Sequence, residues 1–299
     1  MNTVVCFGET LWDVLPTGKQ PGGAPFNVAV HLHQLGQPVE LISRVGDDDL
    51  GAELLDFLAE RHVSTAYVQH GHTHLTGVVK ANVDNRNEVT YKIVQPVAWD
   101  YIQFEDRLRE LVASSAMLVF GSLAARTEAT RTTLYRLLED ARFKVFDVNM
   151  RPPHYTQEVV EYLLAHSDLV KMNHHELAEI VGWYGQPEAA DEATLAWLAQ
   201  RFHLQAVCVT LGADGALLWK QGQLYRSPGI AVEVQDTIGS GDAFLAALLT
   251  SWLAGEAPQD CLRFACAAGS LVATYQGATP AITKAQVAKF ANEQAGRGA

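Results

Sequence analysis

Short β-prone runs alternate with longer helix-patterned stretches along most of this 299-residue chain, and that rhythm limits the fold more than any other feature. The candidate strands are Val4–Gly8, Val39–Arg44, Met117–Gly121, Lys144–Val148, Asp168–Met172 and Ala206–Leu211. Between them lie the helical stretches Phe26–Leu35, Leu50–Arg61, Glu128–Ala141, Gln157–Ala165 and Glu192–Phe202. Alternation of this kind predicts a three-layer α/β fold, a mainly parallel sheet flanked by helices on both faces. Apolar residues make up 48% and charged residues 19%, enough to build a sizeable core. A single domain over residues 1–299 is expected, ending in about sixty mostly helical residues with a capping box at Thr283 and Gln286.

One region breaks the rhythm. Two β-prone runs between Thr76 and Val94 flank the polar stretch Asp84–Asn87, which predicts a hairpin. Leu11–Gln20 is also extended. Residues 11–20 and 76–95 together are expected to form a small β lid, with Pro96 marking the return to the main domain.

The net charge of −12 argues against binding nucleic acid or an anionic membrane, since either needs clustered Lys and Arg. It leaves room for a small anionic ligand held by backbone N–H groups. The four cysteines form no C-x-x-C pair and read as free thiols of a reducing compartment. No signal peptide is visible, and the longest apolar stretch, near Ala243–Ala254, falls short of the roughly 18 residues of a membrane span. A cytoplasmic location is expected.

Asp236-Thr-Ile-Gly-Ser-Gly-Asp242 leads into a strongly apolar helix. Gly239 and Gly241 let a ligand approach the backbone closely, and the helix start favours an anion. A carboxylate there, Asp242, would repel a phosphate unless it accepted a proton from the attacking group. Equally, Asp242 reads as an ordinary carboxylate at a helix N-terminus. There is no G-x-x-x-x-G-K-[ST], and Phe244 leaves G-x-G-x-x-G incomplete. Pro21–Asn27 places two glycines before a helix, with Asn27 either capping it or aimed at a hydroxylated ligand. Asp13 follows the first strand and suits a pair of ligand hydroxyls, or is a loop aspartate.

GGAPFN near the start and DTIGSGDAF near the end together resemble the two signatures of the ribokinase-like (pfkB) carbohydrate kinases. GETLWD, NHHE at 173–176 and TLGADG at 210–215 are similar to further family segments in the usual order. DVNMRPP and VKMNHHE most resemble the fructokinase branch, although 2-keto-3-deoxygluconate kinases share a similar Asp-x-Asn-x-Arg stretch.

The resemblance implies ATP-dependent phosphorylation of a free sugar at a primary hydroxyl, fructose to fructose 6-phosphate, with Mg²⁺. It implies Asp242 as base, with Gly239, Ser240 and Gly241 as the anion hole. Ser240 stands where Ala is commoner, without changing the backbone N–H. Asp13, Gly23 and Asn27 match sugar-binding positions. Arg151 approaches the sugar or the γ-phosphate, or has a structural carboxylate partner; Lys171 shares that ambiguity. Asn173, Thr210, Gly212 and Gly215 match nucleotide-binding positions, and Glu176 an element linked indirectly to magnesium. A monovalent cation site, for K⁺, is implied at Asp236, Ile238, Tyr275, Gly277 and Ala281. An exposed β lid makes a homodimer plausible.

The rival readings are a 2-keto-3-deoxygluconate kinase, another ribokinase-like sugar or nucleoside kinase, and a sugar sensor without transfer activity. His70, His72 and His74 alternate, which on a strand would put them on one face, but they read as solvated lid or loop residues rather than metal ligands. His31, His33, His174 and His175 are expected to be structural.

Overall fold

All six runs expected to be strands are strands in the computed structural model, which describes residues 2–15, 18–83 and 89–295. In chain order the strands are β1 (Val4–Phe7), β2 (Leu11–Leu15), β3 (Gly18–Gly22), β4 (Val39–Gly46), β5 (Val68–Gly71), β6 (Gly77–Val83) and β7 (Val89–Ile93). They continue as β8 (Met117–Gly121), β9 (Lys144–Asp147), β10 (Leu169–Asn173), β11 (Ala206–Thr210), β12 (Ala216–Lys220) and β13 (Gln223–Ser227). The α-helices are α1 (Ala24–Gln34), α2 (Asp49–Glu60), α3 (Asp106–Ser114), α4 (Glu128–Asp140) and α5 (Gln157–Ala165). They are followed by α6 (His174–Gly182), α7 (Glu192–Phe202), α8 (Ser240–Leu253), α9 (Pro258–Val272) and α10 (Lys284–Ala295).

The large sheet runs β13-β12-β11-β10-β9-β8-β1-β4-β5. Its pairs are parallel from β11 to β5, and β12 and β13 extend it antiparallel. β1 shows why the chain needs both helical layers. Successive strand residues point to opposite faces, and all four residues of Val-Val-Cys-Phe are buried. Val4 and Cys6 join the core under α1, α2, α8, α9 and α10. Val5 and Phe7 join the core under α3 to α7. α8 is buried without interruption from Ala243 to Ser251, so its apolar run is explained by packing between α1 and α9. Thr283 and Gln286 form the expected capping contacts ahead of α10.

The region that broke the rhythm forms a second, four-stranded sheet, ordered β3-β2-β6-β7. β6 and β7 pair antiparallel, with Val79 opposite Ile93; the turn expected at Asp84–Asn87 lies outside the described residues. Beyond β7, Arg126 donates to both oxygens of buried Asp100 at 2.6 and 2.7 Å and to the Val94 carbonyl at 2.8 Å. Its guanidinium also covers the buried Trp99 ring at 3.8 Å. This buried pair fastens the exit of the small sheet to the main domain, close to Pro96.

The sequence expectations omit β5, β12, β13, α3 and α6. β5 has four residues, two of them Gln69 and His70, so it carries little apolar signal. The β12–β13 hairpin turns at Gln221-Gly222, both at positive φ as a type I′ turn requires, without the usual Asn-Gly or Asp-Gly. All four cysteines are buried free thiols. Among the described residues no helix is long and apolar enough to cross a membrane.

Candidate active site

Parallel pairing brings the carboxyl ends of several strands to one edge. Gly8 and Glu9 follow β1, Asp147 ends β9, Asn173 ends β10 and Thr210 ends β11. The registers align Asp147 with Lys171 and Asn173 with Thr210. Open α/β sheets hold ligands outside this edge.

The start of α8 meets the same place. Gly239 is its N-cap, at φ +78°, and a Cβ there would overlap the Ala278 carbonyl oxygen. The N–H of Ser240 returns to Thr237 and that of Ala243 to Gly239, but among the described residues the N–H groups of Gly241 and Asp242 have no acceptor. Such free N–H groups at the positive end of a helix suit an anion. Lys171 stands over them: a Cβ on Gly241 would come within 3.2 Å of its Nζ. That ammonium donates to Asp147 Oδ1 at 2.9 Å. Burial works against its charge, but Asp147, Asp242 and Glu176 outweigh burial and raise its pKa. The Ser240 hydroxyl is buried and has no hydrogen-bond partner among the described residues.

Asp242 projects from the first turn of α8 and accepts a hydrogen bond from Asn27 Nδ2 at 2.8 Å. Burial raises its pKa to about 7, with Asp147 adding to the rise and Lys171, Asn27 and Arg151 opposing it. Asn27 is buried on α1, just beyond the Gly23 N-cap, and its Oδ1 has no partner among the described residues. It therefore does not cap the helix as the simpler sequence reading allowed. Asp13 lies on β2 of the small sheet, its pKa raised by burial to about 6 and opposed by the Arg151 charge. The Arg151 charge also works to lower the pKa values of Asp242 and Glu9, and Asn27 contacts Asp242 directly. Among the described residues no carboxylate pairs with Arg151; its Nη1 donates to the Met150 carbonyl at 3.1 Å.

Asn173 and Glu176 form a capping box on α6. Asn173 Oδ1 accepts from the N–H groups of His175 and Glu176, and Glu176 returns a carboxylate oxygen to the Asn173 N–H at 2.8 Å. The other Glu176 oxygen accepts from the Met150 N–H at 2.9 Å, tying α6 to the loop that carries Arg151. Thr210 ends β11 beside Asn173, and Gly212 and Gly215 bracket the turn into β12, closed by the Leu211 N–H to the Gly215 carbonyl. Asp236 joins the two loops expected to hold a cation. Its carboxylate accepts from the N–H groups of Ile238 and Gly277 at 3.0 and 3.1 Å. Tyr275 and Ala281 lie on the second loop, after α9.

His70, His72 and His74 do not share a strand face, because β5 stops at Gly71. His72 meets Asp47 at 3.1 Å and His74 stacks on Tyr101 at 3.9 Å. Among the described residues no group of three or more His, Cys, Asp or Glu is arranged to hold a metal by itself.

The structure adds Glu9 and Asp147 to the site. Glu9 is buried, with its pKa raised by burial to about 7, and accepts from the Ala24 N–H at 3.1 Å. Its Oε2, like Asp147 Oδ2, is buried and has no hydrogen-bond partner among the described residues. Both lie in quoted motifs, GETLWD and DVNMRPP, so their place at strand ends was the available signal.

The start of α8, half-buried and carrying a carboxylate and two N–H groups that have no acceptor among the described residues, lies in a fold of the ribokinase-like kind. A fructokinase from Xylella fastidiosa with bound ATP has this fold, with a TM-score of 0.87 at 24% identity over 98% of this chain and 99% of that one. A fructokinase double mutant from Vibrio cholerae, in its fructose-, ADP- and potassium-bound form, gives a TM-score of 0.84 at 26% identity over 97% and 98%. Residues 1–285 match the pfkB family carbohydrate kinase profile. A fructokinase from Klebsiella pneumoniae is 32% identical over 298 residues, covering 92% of this chain and 94% of that protein. The chain belongs to the pfkB family of carbohydrate kinases.

Proposed function

We propose that this protein transfers the γ-phosphoryl group of ATP to the primary hydroxyl of fructose, giving fructose 6-phosphate. The observation that carries the reading is the half-buried Asp242 carboxylate, its pKa raised, beside the N–H groups of Gly241 and Asp242 that have no acceptor among the described residues, near the Lys171 ammonium. Asp13 and Asn27 hold the sugar, and Asp242 accepts the proton as the hydroxyl attacks phosphorus. The helix-start N–H groups offset the charge that grows on the transferring group. Asn173, Thr210, Gly212 and Gly215 line the strand ends along which ATP would lie.

Magnesium usually binds through phosphates and one or two carboxylates. The donors fit, because Asp147 keeps one buried oxygen without a partner while both Glu176 oxygens serve the backbone. When bound it would neutralise phosphate charge.

Among fructose, ribose, adenosine and 2-keto-3-deoxygluconate, fructose is expected to give the highest kcat/KM in a coupled ADP-release assay. The similarity to fructokinases supports this. One observation favours a second reading: Arg151 lacks a carboxylate partner among the described residues, as a receptor for a sugar acid would. A clear preference for 2-keto-3-deoxygluconate would assign Arg151 to its carboxylate and replace fructose.

The raised pKa of Asp242 sets a pH dependence. A base works deprotonated, so kcat/KM should fall as pH drops below about 7 and level off above it. An acid limb near 4, where an ordinary aspartate titrates, would contradict the burial of Asp242.

Potassium would order the loops that Asp236 joins, and with them Gly239. Adding it at constant ionic strength is expected to raise turnover. A flat response from zero to saturating potassium, without sodium, would remove the ion from the mechanism.

A further inference from the structure

α1 offers two polar side chains to its neighbours on one face. Asn27 and His31 are four residues apart, so they lie one above the other. Asn27 holds Asp242, and His31 Nε2 lies 2.9 Å from the Ala278 carbonyl oxygen. His31 has no exposed surface. Ala278 is the residue against which Gly239 rests, with its carbonyl oxygen and Cα where a Cβ of Gly239 would stand. The carbonyl that His31 grips therefore fixes the N-cap of α8, and with it the direction of the free N–H groups of Gly241 and Asp242. Two further contacts fasten the loop: Arg61 Nη1 donates to the Thr279 carbonyl at 2.9 Å, and the Gly277 N–H donates to Asp236.

The Ala278 contact satisfies Nε2 of the buried ring, whereas Nδ1 is buried with no hydrogen-bond partner among the described residues, so removing the Nε2 contact would leave the imidazole with neither nitrogen paired. Burial lowers the His31 pKa to about 4, so the ring is neutral in neutral solution. Facing a carbonyl, Nε2 is the nitrogen that carries the hydrogen.

We propose that His31 is a positioning residue for phosphoryl transfer, holding the Ala278 carbonyl beneath Gly239 so that one face of α1 sets both the base and the anion hole. The proposal rests on the reading of Gly239–Asp242 as the transfer site.

The test compares His31→Leu, which fills space without a donor, with His31→Gln, which restores an amide donor. Removing a direct oxyanion-hole donor costs roughly 10²–10³-fold in kcat. The indirect loss in His31→Leu is expected to be smaller than that of a direct donor, about 10-fold, with the fructose KM little changed and most of kcat regained in His31→Gln. Hydrogen exchange of the Ala243 amide, which closes the first turn of α8 onto Gly239, should quicken in His31→Leu and recover in His31→Gln. If His31→Leu does not fold, His31→Asn, whose amide is too short to reach Ala278, takes its place. Wild-type kcat in a folded donor-less variant would overturn the proposal, as would equal kcat losses in the donor-less and Gln variants. If the wild-type protein phosphorylates none of the sugars, the functional reading fails, and the exchange comparison alone decides whether His31 sets the start of α8.

Discussion

Asp242→Asn is expected to lower kcat by roughly 10²–10⁴-fold, the range of general-base contributions, while fructose and nucleotide still bind. Asparagine keeps the size of the side chain and can still meet Asn27, but it cannot take up the proton of the attacking hydroxyl. Under the proposed function, Asp13 and Asn27 would still hold the sugar and the N–H groups at the start of α8 would still face the phosphate. The substitution should also change stability in a direction that identifies the group. Asp242 has a folded-state pKa near 7, above the 3.8 of an ordinary aspartate, so the folded state binds more protons between those values. Stability then falls as pH rises from about 4 to about 7, because the carboxylate must ionise while buried. Asparagine lacks that penalty. Asp242→Asn should therefore melt higher than wild type at pH 8 and lose that advantage at pH 4. Calorimetric binding and thermal melts on one preparation would check both effects. A folded variant with near-normal turnover would leave Asp242 as a helix-terminal carboxylate and remove it from the chemistry.

Gly239→Val should abolish most activity by a different route. At φ +78° a β-branched residue is strained, and its Cβ would overlap the Ala278 carbonyl oxygen. The peptide must shift, and the N–H groups of Gly241 and Asp242 shift with it. Misdirecting hole donors is expected to cost at least the roughly 10²-fold that loss of one donor costs. Sugar affinity should change far less, since Asp13 and Asn27 sit on β2 and α1. Equal losses in sugar affinity and turnover would show a general collapse of the site rather than a displaced hole. Gly212→Ala is a useful contrast: Gly212 also has a positive φ, but no atom lies within 4 Å of a Cβ placed there.

The main sheet was legible because a strand buried on both faces leaves an unbroken apolar run, as β1, β8 and β11 do. Polar β5 leaves none. The start of α8 was legible because its glycines and carboxylate are contiguous. The Lys171–Asp147 pair was not, because it exists only through the parallel register of β9 and β10. Glu9 follows β1 in the GETLWD motif, and its place at a strand end was the one signal that set it apart from a surface carboxylate. Asn27 and Asp242 are 215 positions apart, and nothing local signals their contact. His31 read as structural because its partner is a backbone carbonyl, which leaves no mark in a sequence. Glu176 was legible as part of N-x-x-E, but that spacing is also the spacing of a capping box, and the structure shows the capping contacts.

The Asp13 carboxylate hangs from a thin four-stranded sheet, while Asp242 is set in a helix with nine consecutive buried residues. Random substitution should therefore meet two different filters. Changes around α8 disturb packing on every side and are removed before any effect on chemistry is seen. Under the proposed function, changes in β2, β3 and β6 touch fewer neighbours and are expected to alter which acceptor is admitted while transfer continues. Laboratory selection for a new acceptor should accumulate its changes in that sheet and leave the start of α8 untouched.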